Sequence, residues 1–156
     1  MTDITRTGVI PAELDAVWAV LTDFGAISTW AANVDHSCIL SRPERADDDG
    51  SSLVVGLSRR VQVGRNVIVE KICAVEAPTS LAYDLHGLPP RLRTVRNRWE
   101  LVADGRASTR ASLTTTVEIG PRPPQRVAER VVCRVLSKQS DVMLAGLATH
   151  LEALRV

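Results

Sequence analysis

Between residues 11 and 34 the chain reads PAELDAVWAVLTDFGAISTWAANV, and its apolar positions keep a helical period. Leu14, Val17, Trp18 and Leu21 recur at i, i+3, i+4 and i+7, which predicts one apolar stripe on a helix of about three turns opened by Pro11. Asp23 then offers an N-cap to a second short helix carrying Phe24, Ile27 and Trp30. Helices this short are marginal alone, so both are expected to be held by a sheet.

On either side the period changes to two. Strands are predicted at Thr2–Ile10, Asp35–Ser41, Ser51–Val61, Asn66–Val75, Leu81–His86, Thr94–Ala103 and Thr109–Ile119, with breakers at Gly64, Pro78 and Asp104-Gly105. Short connections make successive strands antiparallel neighbours. A two-residue turn at Asp104-Gly105 would mix faces. A three-residue loop, Asp104-Gly105-Arg106, instead pairs Trp99 with Ala111, Asn97 with Leu113 and Glu100 with Arg110. Asn97, Trp99, Leu101, Thr109, Ala111, Leu113, Thr115 and Val117 then share the concave face, with Arg96, Arg98, Glu100 and Arg110 in solvent.

After Pro121, Pro123 and Pro124 the pattern is helical to the C-terminus, about 45 Å long at 1.5 Å per residue. Val132, Leu136, Met143, Leu147, Leu151 and Leu154 form its stripe, and Arg126, Glu129, Arg130, Arg134, Lys138 and Asp141 decorate the rest. Such a helix needs a broad apolar surface, and the concave sheet is the one available. A solvated loop is expected over Arg42–Ser52, RPERADDDGSS, whose three aspartates lack the EF-hand spacing.

The length of 156 residues fits a single domain spanning 1–156. A net charge of +1 argues against a face devoted to phosphate backbones, so no nucleic-acid partner is expected. Cys38, Cys73 and Cys133 form no CxxC pair and are odd in number, which fits a reducing, cytoplasmic setting better than a disulfide framework. MTDITRTGVI lacks the apolar core of a secretory signal, and no apolar run approaches the ~18 residues of a membrane span. His36, His86 and His150 share no metal-ligand spacing, and no nucleophile elbow, P-loop or dinucleotide fingerprint occurs. Neither metal nor organic cofactor is implied.

Strand, two short helices, six antiparallel strands and a long closing helix make an α+β helix-grip arrangement: a seven-stranded curved antiparallel sheet wrapped around a C-terminal helix. The segment VWAVLTDFGAISTW resembles the START-like (SRPBCC) superfamily, which includes Bet v 1-type proteins and the polyketide cyclase/dehydrase and lipid-transport proteins. EKICAVEAPTSLAYDL (Glu70–Leu85), NRWELVADGRAST (Asn97–Thr109) and GLATHLEAL (Gly146–Leu154) are similar to it as well. The resemblance implies a central cavity between sheet and closing helix, entered near the short helices and the strand-connecting loops. Aromatic residues make up only 3% of the chain, and Gly146 sits within the closing helix, both consistent with unfilled space.

Inward alternation makes Asn97 the first candidate to meet a ligand, since a buried amide needs a partner. Tyr83, between Leu81 and Leu85, points inward with a hydroxyl to satisfy. Trp30, Trp99, Ala111, Leu113, Thr115, Met143 and Leu147 complete the expected ligand-binding set, and Phe24 borders the mouth or fixes the short helices. Arg91 and Arg93 follow the GLPP turn as rim contacts. The leading expectation is a monomer or weak dimer that binds, sequesters or transports a small hydrophobic ligand, lipid, fatty-acyl or polyketide-like. The alternatives are a polyketide cyclase or aromatase/dehydratase, with Tyr83, Asn97 and His86 as catalytic candidates, and a protein-interaction module, for which no large exposed apolar patch is visible in the pattern.

Overall fold

The computed structural model describes residues 1–43 and 53–154. In chain order these form β1 (Thr2–Ile10), α1 (Leu14–Thr22), a 3-10 helix (Phe24–Thr29), β2 (His36–Ser41), β3 (Ser58–Val63), β4 (Asn66–Glu76), β5 (Ser80–His86), β6 (Thr94–Ala103), β7 (Thr109–Glu118) and α2 (Pro123–Leu154). The strands make one curved antiparallel sheet in the order β1-β7-β6-β5-β4-β3-β2, and α2 closes over its concave face. The helix-grip arrangement expected from the pattern is thus present.

Several local expectations are corrected. Helix α1 starts at Leu14, not at Pro11, and Asp23 makes no side-chain capping bond. Residues 53–57 of the expected Ser51–Val61 strand are not extended: Gly56 takes φ +96°, its N–H bonds the Ile72 carbonyl, and the chain turns before β3. Residues 44–52 of the expected Arg42–Ser52 loop lie outside the described residues.

The β6–β7 hairpin keeps the expected faces but not the expected register. Trp99 pairs with Leu113, Asn97 with Thr115, Glu100 with Ser112 and Leu101 with Ala111, because the loop runs five residues from Asp104 to Ser108. The Asp104 N–H bonds the Ser108 carbonyl at 2.9 Å, and Gly105 takes φ +81° within the loop. A slip of two residues leaves every side chain on its own face, which is why the face assignment survives the error. Of the outward residues, Arg96 is half-buried rather than free in solvent, held by Asp84 through bonds of 2.7 and 3.3 Å.

Helix α2 buries the expected Met143, Leu147 and Leu151, but the N-terminal part of its stripe differs from the expected one. Its buried residues are Glu129, Cys133, Ser137, Ser140, Met143, Leu144, Leu147 and Leu151, while Leu154 is exposed and Val132 and Leu136 are only half-buried. Glu129, expected in solvent, is fully buried because it ties the helix start to two strand ends. Its carboxylate accepts the Ile119 N–H at 2.9 Å, the Gly120 N–H at 3.4 Å and the Thr2 hydroxyl at 2.9 Å. These bonds, the Ile119 N–H foremost, hold its carboxyl down at about 2. Gly146 does not leave space open, as expected from the sequence, but removes it. A Cβ there would collide with the Trp30 carbonyl oxygen, so only glycine lets this turn of α2 seat on the Trp30 backbone.

Candidate functional site

Two unlike regions share the concave face. Toward the C-terminal half of α2, Trp99, Leu101, Ala111, Leu113, Leu81, Leu147 and Leu151 pack with Trp30 into a closed apolar core. Trp30 meets Trp99 edge to face at 5.9 Å. Toward the middle of α2, the same strands leave a cavity of about 340 Å³. That is at the small end of the range of about 300–1,000 Å³ for ligand sites.

Each wall follows from strand alternation. Val61 and Val63 of β3, Asn66, Ile68 and Glu70 of β4, Leu85 of β5, Asn97 of β6 and Thr115 of β7 point inward along one side. Helix α2 supplies Val135, Leu136, Gln139, Ser140 and Met143, and Ile27, Asn33 and Val34 close the end beside the 3-10 helix. Val135, Gln139, Asn66, Gly87 and Pro89 line the space and are themselves exposed, which marks the opening between α2, the β3–β4 hairpin and the turn after β5.

Among the described residues the cavity has one carboxylate in its wall, that of Glu70. Arg59 and Glu70 are direct cross-strand partners, 3% and 6% exposed, joined by a bond of 2.8 Å from Nε to Oε1. The guanidinium also donates Nη1 to the Phe24 carbonyl at 2.9 Å and lies 3.8 Å from the Phe24 ring centre and 4.8 Å from that of Tyr83. Arg59 is thereby enclosed behind the wall, while Glu70 lines the cavity. Among the described residues nothing bonds the second oxygen of Glu70. Sequence reasoning missed this pair, although the signal was there: Arg59 shares the parity of Val61 and Val63, and Glu70 that of Ile68 and Ile72.

Of the residues expected to meet a ligand, Asn97, Thr115 and Met143 line the cavity. Trp30, Tyr83, Trp99, Ala111, Leu113 and Leu147 sit in the adjoining closed core and form no part of its lining. Phe24 is buried against Arg59 and Tyr83. The Tyr83 hydroxyl accepts the Trp99 indole N–H at 3.3 Å and is hydrogen-bonded by Asn97. Burial, with the Glu70 carboxylate second, pushes its pKa up, so the phenol keeps its proton. His86 is exposed at the end of β5, outside the lining. Arg91 and Arg93 are exposed in the segment before β6. On the outer side of α2, Val127, Val131 and Val135 form a short apolar line, each more than half exposed. Among the described residues no helix is long and apolar enough to cross a membrane.

The family model for polyketide cyclase/dehydrase and lipid transport matches residues 1–152. The chain belongs to this family. Among solved structures it is similar to a START superfamily protein from Mycobacterium smegmatis, at 18% identity and TM-score 0.75 over 97% of this chain and 98% of that one. It is also similar to the Zhui aromatase/cyclase from Streptomyces sp. R1128, at 17% identity and TM-score 0.75 over 97% and 93%. The di-domain aromatase/cyclase BexL is matched at 12% identity and TM-score 0.77, over 97% of this chain and 47% of that one. No curated protein matches the sequence. At these identities the structural likeness is one of fold, and the activity of this family member has to be argued from its own cavity.

Proposed function

We propose that this family member binds a small, mainly apolar molecule in the cavity between the concave sheet and α2, and carries or sequesters it. The observation behind this reading is the 340 Å³ space itself, walled by Ile27, Val34, Val61, Ile68, Leu85 and Met143 and open at one side. Burial of a ligand's apolar surface there contributes about 25 cal/mol per Å² before ordering costs. An engineered cavity of about 150 Å³ accepts benzene. A space about twice that size suits a two-ring compound or a medium-length chain.

Binding is favoured over turnover by the placement of the catalytic candidates. Tyr83 and His86 lie off the cavity wall, the phenol has its oxygen engaged by Trp99 and Asn97, and Asn97, the candidate that does line the cavity, carries no titratable group. The test is native extraction of the purified protein followed by mass spectrometry of the released small molecules, alongside Met143→Trp. Met143 lines the cavity and is nearly buried, so an indole there takes up the ligand's volume. Loss of the co-purifying compound, or of added apolar probes, with the fold retained is the expected result. Undiminished binding in Met143→Trp overturns the proposal. Leu147 is unsuited to this purpose, because it is fully buried in the closed core and a larger side chain there would strain the fold.

A further inference from the structure

Among the described residues, the unsatisfied polar atoms of the buried cavity wall lean toward acceptors. Thr115 spends its single hydroxyl proton on Asn97 Oδ1 at 2.8 Å, and Ser140 spends its own on the Leu136 carbonyl at 3.2 Å. Both oxygens keep lone pairs and have no proton left to give. Asn97 takes the Thr115 proton on Oδ1 and gives one of its two N–H groups to the Tyr83 hydroxyl. Glu70 accepts Arg59 on one oxygen and leaves the other unpartnered among the described residues. Asn33 donates its amide to Gln139 at 2.9 Å, and its Oδ1 is a buried side-chain oxygen without a hydrogen bond. Of the amide donors left over, those of Gln139 and Asn66 belong to exposed residues at the opening, and Asn33 and Asn97 keep one N–H each.

We infer that the cavity selects a neutral ligand whose polar end donates hydrogen bonds, an alcohol or phenol, over a carboxylate of the same skeleton. This rests on the ligand-binding reading above and names the chemistry of its ligand. A buried acceptor left without a donor costs free energy, and a ligand hydroxyl placed against Glu70, Thr115, Ser140 or Asn33 removes that cost. An anionic ligand brings a second negative charge toward Glu70, whose neutralising guanidinium is enclosed between Phe24 and Tyr83 and does not line the cavity. A cationic ligand fares little better, since Glu70 is already neutralised and the added charge would be buried without a counterion. Neutral donors avoid both penalties.

The experiment compares 2-naphthol, naphthalene and 2-naphthoate at pH 7 by calorimetric titration of the intact protein. Naphthol is expected to bind about ten-fold or more tightly than naphthalene, and naphthoate more weakly than either. Ser140→Ala should lower naphthol affinity several-fold more than it changes naphthalene affinity, since only naphthol gives a proton to the hydroxyl it removes, whose own proton stays within α2. Glu70→Gln should narrow the gap between naphthol and naphthoate. If stranding the Arg59 charge prevents that variant from folding, Ser140→Ala carries the test. Equal binding of naphthol and naphthalene, or tighter binding of naphthoate, overturns donor selection while leaving a ligand cavity in place. Failure of all three, naphthalene included, overturns the cavity reading and the selection with it.

Discussion

One concave face carries two regions built by the same alternation, and they differ in what the inward positions hold. In the closed region the inward residues of β6 and β7 are Trp99, Leu101, Ala111 and Leu113, met by Leu147 and Leu151 of α2. A few residues along the same strands the inward positions become Asn97 and Thr115, and α2 turns Ser140 into the same space. Large apolar side chains close the first region to solvent. Short polar ones leave the second region open by 340 Å³ and with acceptors to satisfy. The comparison teaches that the cavity comes from a change of side-chain size and polarity along continuous strands, with no break in the backbone.

The largest effect that would break this contrast is expected in the closed region. Trp99→Ala removes a side chain 1% exposed, together with its ring contact to Trp30 and its bond to Tyr83, and is expected to cost about 3–5 kcal/mol in urea unfolding. A loss below about 1 kcal/mol would show that the closed region carries less of the stability than its packing implies. Next comes the ion pair on the cavity side. Arg59→Met alone leaves Glu70 buried without its counterion, at a cost of about 3–5 kcal/mol, whereas Arg59→Met with Glu70→Met should recover most of that loss. Such recovery would mean that the pair serves the cavity's polarity more than the fold's stability.

A smaller effect sharpens how α2 is held between the two regions. Gly146→Ala gains about 1 kcal/mol of helix propensity, and in a solvated helix it would stabilise. Here the added Cβ meets the Trp30 carbonyl oxygen, a backbone atom that no rotamer change can move aside. A net loss of about 1–3 kcal/mol is expected in thermal unfolding. A rise in melting temperature would show that α2 can slide along the Trp30 turn without cost.

The closed region was more legible in the sequence than the cavity, for a physical reason. Trp99, Ala111 and Leu113 announce an inner face by alternation, and parity tolerates the two-residue slip in the hairpin. The segment VWAVLTDFGAISTW was enough to place the short helices, though not where the first begins. The cavity wall was harder, because its decisive residues are charged or small. Glu70 and Glu129 read as solvent residues by type and are buried by position, each held by partners far along the chain or on another strand. On α2 the buried Cys133, Ser137 and Ser140 carry little hydrophobicity, so a search for leucines and valines turned the expected stripe toward Val132 and Leu136. Alternation in NVIVEKI already put Glu70 in line with Ile68 and Ile72, and no local signal told that its partner would be Arg59.

The smallest effect at neutral pH concerns Glu129, which anchors the polar half of α2. Glu129→Gln keeps an oxygen for the Ile119 N–H and offers an amide that the Thr2 hydroxyl can accept, so its melting temperature near pH 7 should lie only slightly below that of the parent. The difference appears in acid. The folded carboxyl titrates at about 2 against an ordinary value of 4.5, so the charged form is favoured by folding. A depressed carboxyl contributes stability that is complete above its unfolded value and is lost as pH falls through its folded one. Between about pH 4.5 and 2 the parent should therefore lose melting temperature more steeply than Glu129→Gln, so the small gap at neutral pH should close within that window and reverse at its acid end. Parallel curves across that window would mean that the bonds from Ile119, Gly120 and Thr2 do not favour the ionised carboxylate, and that α2 is held at its start by packing alone.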